Sequence, residues 1–137
     1  SRLLVSAVLA ALLVLSPLAG GSASAQSDTA MVQSTLYFGL VNPDGGVSEQ
    51  DWSSFLADEV TPRFPDGLTV VSAYGQGWST KAYGTPMNGE TTKMLIIVHP
   101  DATEAADKLS ELKRLYKERF GEIGFFHTRQ PVEIVGD

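Results

Sequence analysis

The chain has no cysteine among its 137 residues. Disulfides, thiol catalysis and cysteine-ligated metal centres are therefore excluded, as is a lipoprotein cleavage site, which needs a cysteine to carry the lipid. Histidine is nearly absent as well. His99 and His127 are the only two, and they do not stand at a metal-like spacing. Cationic residues are scarce, 10 Lys and Arg against 16 Asp and Glu, which gives a formal charge of −6. Phosphate backbones and anionic lipid surfaces both require clustered cations, so the mature domain is expected to bind neither nucleic acid nor membrane. A phosphate loop, a dinucleotide glycine fingerprint and a nucleophile elbow are all missing, and Gly75-Gln76-Gly77 is too short to cradle a phosphate. Nothing in the residue pattern implies a cofactor or a metal.

A long apolar run occurs only at the start. Arg2 is followed by Leu3 to Leu15, then by Ser16, Pro17 and small residues ending in Ala23, Ser24 and Ala25. This is the pattern of a secretory signal peptide over residues 1–25, cleaved after Ala25. The apolar run falls short of the roughly 20 residues of a spanning helix, and Pro17 ends it. The mature chain is thus expected in the periplasm or outside the cell. Cleavage removes one positive charge, Arg2, and moves the formal charge from −6 to −7. Residues 26–33 are small and polar and read as a disordered leader, and 34–137 are enough for one domain with its own core.

Along that domain the hydrophobic period alternates between 2 and 3.6. Thr35 to Val41 reads as a strand with Leu36, Phe38 and Leu40 on one face and Tyr37 on the other. Asn42 to Gly46 is turn chemistry. Ser48 and Asp51 form a capping box, Val47 and Trp52 a hydrophobic staple, and Trp52, Phe55, Leu56 and Val60 an apolar stripe. Pro62 is expected to end that helix. Pro65 and Gly67 turn the chain into a second strand, Leu68 to Trp78, and Ser79 to Gly89 reads as a loop. Thr91 to His99 is a third strand, apolar on both faces. Asp101 and Glu104 read as the capping box of a second helix buried through Ala105, Leu109, Leu112, Tyr116 and Phe120, with Gly121 as its C-cap. Ile123 to Thr128 gives a fourth strand, and Pro131 makes Val132 to Val135 an edge segment or a tail.

The order β-α-β-β-α-β predicts an α+β ferredoxin-like sandwich, with two helices on one face of an antiparallel sheet. The other face stays open. Tyr37, Ser72, Tyr74, Gln76, Trp78, Lys93, Leu95, Ile97 and His99 are the residues expected on it. A face so apolar calls for a cover, namely a second subunit, a ligand or the 79–89 loop.

Several strings resemble a bacterial family known as domain of unknown function 3574. They are Leu36 to Leu40, Pro43 to Gly45, Trp52 with Phe55, Val60 to Val70, Tyr74 to Gln76 with Trp78, Lys93 with its apolar strand, and Tyr116 to Phe120. The family typically runs Gly-Gln-Trp where this chain has Gly75-Gln76-Gly77-Trp78. The inserted Gly77 would bulge the strand or move Trp78 to the other face. The resemblance implies the fold and carries no activity to transfer.

Arg63, Tyr74, Gln76 and Lys93 are the candidate ligand-binding residues. Lys93, Tyr74 and Gln76 together would suit a carboxylate or a carbonyl, while Arg63 four residues after Glu59 reads first as a structural ion pair. His99 and Tyr74 are the catalytic candidates. His99 could serve as a base or a haem ligand, or simply bond to nearby backbone. Two function classes emerge. One is an exported binding or assembly module that uses the open face, as a homodimer or with a small-molecule ligand. The other is a small dimeric α/β-barrel enzyme of the monooxygenase, isomerase or haem-binding kind, with His99, Tyr74, Arg63 and Lys93 as its polar groups. Produced with residues 1–25 in a bacterial host, the exported protein should begin at Gln26 by intact mass. Retention of residues 1–25 on the mature protein would overturn the signal-peptide reading.

Overall fold

The structure, a computed structural model, describes residues 30–85 and 89–136. The expected signal peptide, and the leader up to residue 29, lie outside the described residues. Four strands form one antiparallel sheet in the order β2-β3-β1-β4. They are β1 (Met31–Gly39), β2 (Thr69–Ala73), β3 (Thr92–Pro100) and β4 (Phe125–Val132). β1 begins within the segment expected as leader. Its partners explain why, since Met31 stands opposite both Pro100 and Val132. The helices are α1 (Glu49–Phe55), α2 (Thr61–Arg63), α3 (Trp78–Tyr83) and α4 (Thr103–Phe120), and a π-helical turn, Leu56–Val60, joins the first two.

Local chemistry explains most boundaries. Asn42 Oδ1 accepts hydrogen bonds from the N–H groups of Asp44 and Gly46, which closes the turn after β1. At Ser48 the capping box forms in both directions. The helix does not stop before Pro62. The Thr61 N–H reaches back to the Leu56 carbonyl, widening one turn, and Pro62 then sits in the first turn of α2, where no N–H is needed. Asp101 does not cap α4 either: that helix has no side-chain cap, and Asp101 Oδ1 instead accepts from Arg129 at 2.7 Å. The C-terminal end follows expectation, as Gly121 takes a φ of 82° and its N–H bonds the Lys117 carbonyl. β2 is shorter than expected and ends at Ala73, and α3 occupies the start of the predicted loop. Gly77 is the N-cap of α3 rather than a strand bulge.

Both long helices pack on one face of the sheet. The core joins Leu36 and Phe38 of β1 and Leu95 and Ile97 of β3 to Trp52 and Phe55 of α1 and Leu109, Leu112 and Tyr116 of α4. Phe38 is at its centre, with the rings of Tyr116, Trp52, Phe55 and Phe125 at 4.5, 5.6, 6.0 and 6.2 Å. The Tyr116 hydroxyl donates to the Gly39 carbonyl, and the Gly39 N–H donates to the Gly124 carbonyl at 2.9 Å. A Cβ on Gly39 would stand 2.6 Å from the Gly124 carbonyl oxygen, so glycine is required where these segments meet.

The register places one set of residues opposite to expectation. Lys93 pairs with Phe38, Leu95 with Leu36 and His99 with Val32, so Ser72, Lys93, Leu95, Ile97 and His99 lie on the helix-covered side. The open face carries Val71, Met94, Tyr37 and Phe126 in one row across all four strands, with Thr69, Ile96, Thr35 and Thr128 in the next. Strand periodicity gives two alternating sets and does not say which is inside. Both sets of β3 are apolar, and the only charge, Lys93, belongs to the buried one. This assignment predicts unequal costs. Phe38→Ala should destabilise by about 3–5 kcal/mol in urea unfolding, and Phe126→Ala by about 1 kcal/mol or less. Equal costs would mean that the helix-covered face is not the core.

Candidate functional site

A cavity of about 560 Å³ lies at one end of the open face, within the size range of small-molecule sites. Its floor is Ala73 of β2 with Thr92 and Met94 of β3. One wall is the pair Tyr37 and Phe126, stacked at 4.3 Å and nearly parallel. The opposite wall is the segment from Tyr74 to Thr80, which leaves the end of β2 and folds over the sheet edge.

Thr91 fixes that segment. Its buried hydroxyl donates to the Gly75 carbonyl at 2.5 Å and accepts from the Gly75 N–H at 2.6 Å, holding one residue by both backbone groups. The Thr91 N–H bonds the Ala73 carbonyl, so the grip continues the β2–β3 ladder past the strand end. A Cβ at position 75 would come within 2.8 Å of the Thr92 hydroxyl, so any larger residue there would require the Thr92 side chain to move. Tyr74 and Trp78 are consequently held out from the fold, 62% and 75% exposed. Among the described residues no carboxylate, imidazole, ammonium or guanidinium lines the cavity. Its polar groups are hydroxyls, the Gln76 amide, the Trp78 indole N–H and backbone.

Of the residues singled out in the sequence, Tyr74, Gln76 and Trp78 come together here, and Arg63, Lys93, His99 and His127 do not. Arg63 is half-buried beside a smaller hollow near Phe64, and its guanidinium donates to the Glu59 carboxylate at 2.7 Å and the Glu59 carbonyl at 2.8 Å. His99 is buried between two bonds. Pro100 offers only a carbonyl acceptor, so Nδ1 carries the proton and donates to it, leaving Nε2 to accept from the Ser34 hydroxyl, both at 2.7 Å. His127 lies on the helix-covered side of β4, with Nδ1 accepting from Lys113. Its buried Nε2 has no partner among the described residues. Burial, then the nearby Lys113, His99 and Arg129, hold its pKa below the ordinary value. Among the described residues no three His, Asp or Glu side chains group to hold a metal, and no helix is long and apolar enough to cross a membrane.

The sequence pattern did not single out Thr91, Thr92, Met94 or the Phe126 half of the stacked pair. Phe125 and Phe126 are adjacent, and only the pairing of Phe126 with Tyr37 reveals which of them faces outward. Nothing distinguishes Thr91 in sequence from an ordinary strand-end threonine.

Lys93 has a structural role. Its side chain is 2% exposed, and its ammonium donates to Glu49 at 2.8 Å, Glu90 at 3.0 Å and Ser72 at 2.7 Å, which uses all three of its protons. Burial alone would lower its pKa; the hydrogen bonds to Glu49 and Glu90 outweigh that and raise it above 10.5. The folded protein therefore holds this proton more tightly than the unfolded chain. The resulting stabilisation is complete below pH 10.5 and is lost as pH rises through the folded value. Burial raises the Tyr116 pKa too, so both groups alter stability in alkali and only a difference isolates Lys93. Lys93→Met should be less stable than wild type by about 1–3 kcal/mol at neutral pH, with the gap closing in strong alkali. A gap unchanged across that range would remove the ammonium from the account.

One family description, "Protein of unknown function (DUF3574)", matches residues 33–135. No curated protein and no solved structure matches the chain. The matched span takes in nearly all of β1, the other three strands, all four helices and the whole cavity lining. The chain belongs to the DUF3574 family of proteins of unknown function.

Proposed function

We propose that this protein is an exported binding module, with a small-molecule site on its open sheet face and a second copy of the chain covering the rest of that face. The observation that carries the reading is the cavity beside Tyr74, Gln76 and Trp78, which is walled by aromatic and aliphatic side chains and, among the described residues, lined by no ionisable acid or base other than tyrosine. Such a lining favours binding over general acid–base chemistry. Val71, Val98 and Phe126 are between 40% and 58% exposed on the same face, and a homodimer through that face would remove them from water. The order β2-β3-β1-β4, with both long helices on one side, supports a ferredoxin-like β-α-β-β-α-β sandwich in which α3 is an addition between β2 and β3. The apolar start of the chain supports export to the periplasm or beyond. The enzyme reading has less support, because His99, its rim base, lies on the helix-covered side between Ser34 and Pro100.

The test is native mass spectrometry of the protein exported by a bacterial host from the full chain. A dimer carrying a small molecule is expected, and Val71→Glu with Val98→Glu should shift it to monomer. A strictly monomeric protein that retains nothing would refute the proposal.

A further inference from the structure

We infer that the cavity takes an uncharged, planar aromatic molecule, inserted between the Tyr37–Phe126 pair and Trp78. The inference rests on the binding reading above and names the chemistry of the ligand.

Charged residues make up 19% of the sequence, yet none of those in the described residues lines this cavity. An ionised ligand seated against the Tyr37–Phe126 pair would meet no charged side chain among the lining residues. The rings of Tyr37 and Phe126 stack face to face at an interplanar angle of 4°, which leaves the outer face of the stack as a flat surface. A second flat ring can continue such a stack, whereas a branched aliphatic group would leave gaps against it. On the other side Trp78 is held out from the fold, 75% exposed, at the N-terminal end of α3. Lys81 Nζ already lies over the indole, 5.6 Å from its centroid, so a cation occupies one face of that ring. This distinguishes the site from an aromatic cage for a cationic ligand, which would leave its rings free and would often add a carboxylate.

The unused polar atoms fit the same class. Thr91 is committed to Gly75, but the Thr92 hydroxyl, the Gln76 amide and the Tyr74 phenol make no hydrogen bond to the described residues. All three are neutral, and each can meet one hydroxyl or carbonyl substituent on an otherwise apolar ring system.

A matched naphthalene series tests the charge rule directly. 1-Naphthylmethanol, 1-naphthoate and 1-naphthylmethylammonium share a ring and differ in charge, and high salt screens the chain's overall negative field. In titration calorimetry on the exported protein, freed of any co-purified molecule, the alcohol should bind at least about tenfold more tightly than either ion. Trp78→Ala, a substitution at an exposed position, should weaken the alcohol by about three- to tenfold. Gln76→Lys should bring naphthoate up to or past the alcohol. Either ion binding as tightly as the alcohol to wild type, or an unchanged affinity in Trp78→Ala, would overturn the inference. If none of the three binds while the protein carries some other molecule through purification, the ligand class falls and the binding reading stands. If none binds and nothing is retained, both fall.

Discussion

The ring of Phe38 is the contact on which the remaining arrangement turns. It sits on a central strand and touches an aromatic ring from α1, from α4 and from β4. Once Phe38 points at the helices, strand alternation forces Leu36 inward and Tyr37 outward. The antiparallel register then sets every neighbour: Lys93 and Leu95 go in and Met94 goes out on β3, Phe125 goes in and Phe126 out on β4. The open face is thus a consequence of the core. The cavity wall made by Tyr37 and Phe126 is the reverse side of the same two strands whose inner side packs around Phe38.

Burial of Lys93 shows how the core accommodates a charge at its margin. The ammonium begins the inward row of β3 and ties Ser72 on β2 to Glu49 at the start of α1. An unpaired ammonium could not occupy this place, since desolvation would cost more than the stem gains by packing. Its two carboxylates remain partly in water, so they keep much of their own hydration while satisfying it. Thr91, two residues earlier, does the equivalent work without charge, using one hydroxyl to fix the course of the chain at Gly75. Two neighbouring buried positions at the entry to β3 therefore hold the first turn of α1 and the wall of the cavity.

Much of this was legible in the sequence. The alternation of Leu36, Tyr37 and Phe38 gave the correct faces for β1, because only one of its two sets is strongly apolar. The Ser48–Asp51 box, the Val47–Trp52 staple and the α4 stripe through Leu112 and Tyr116 are local patterns with local causes, and they form as read. The misreadings share a physical origin. β3 is apolar on both sides, so its inward set depends on pairing with β1. Pro62 is tolerated because a wider turn precedes it, and that turn has no residue signature. Asp101 had a partner 28 residues away in Arg129 that competed with capping. At the cavity, Tyr74, Gln76 and Trp78 were visible as a cluster in sequence, but Met94 and Phe126 join them only through the register.

Pro131 has a consequence for how the sheet can grow. It lies in β4, the outer strand beside β1, where it removes an N–H from the free edge or from the ladder, and Arg129 adds charge close by. That edge is a poor template for another chain. The opposite edge, β2 from Thr69 to Ala73, carries neither proline nor charge. The two edge strands thus differ in backbone chemistry, since a proline ring interrupts β4 and none interrupts β2.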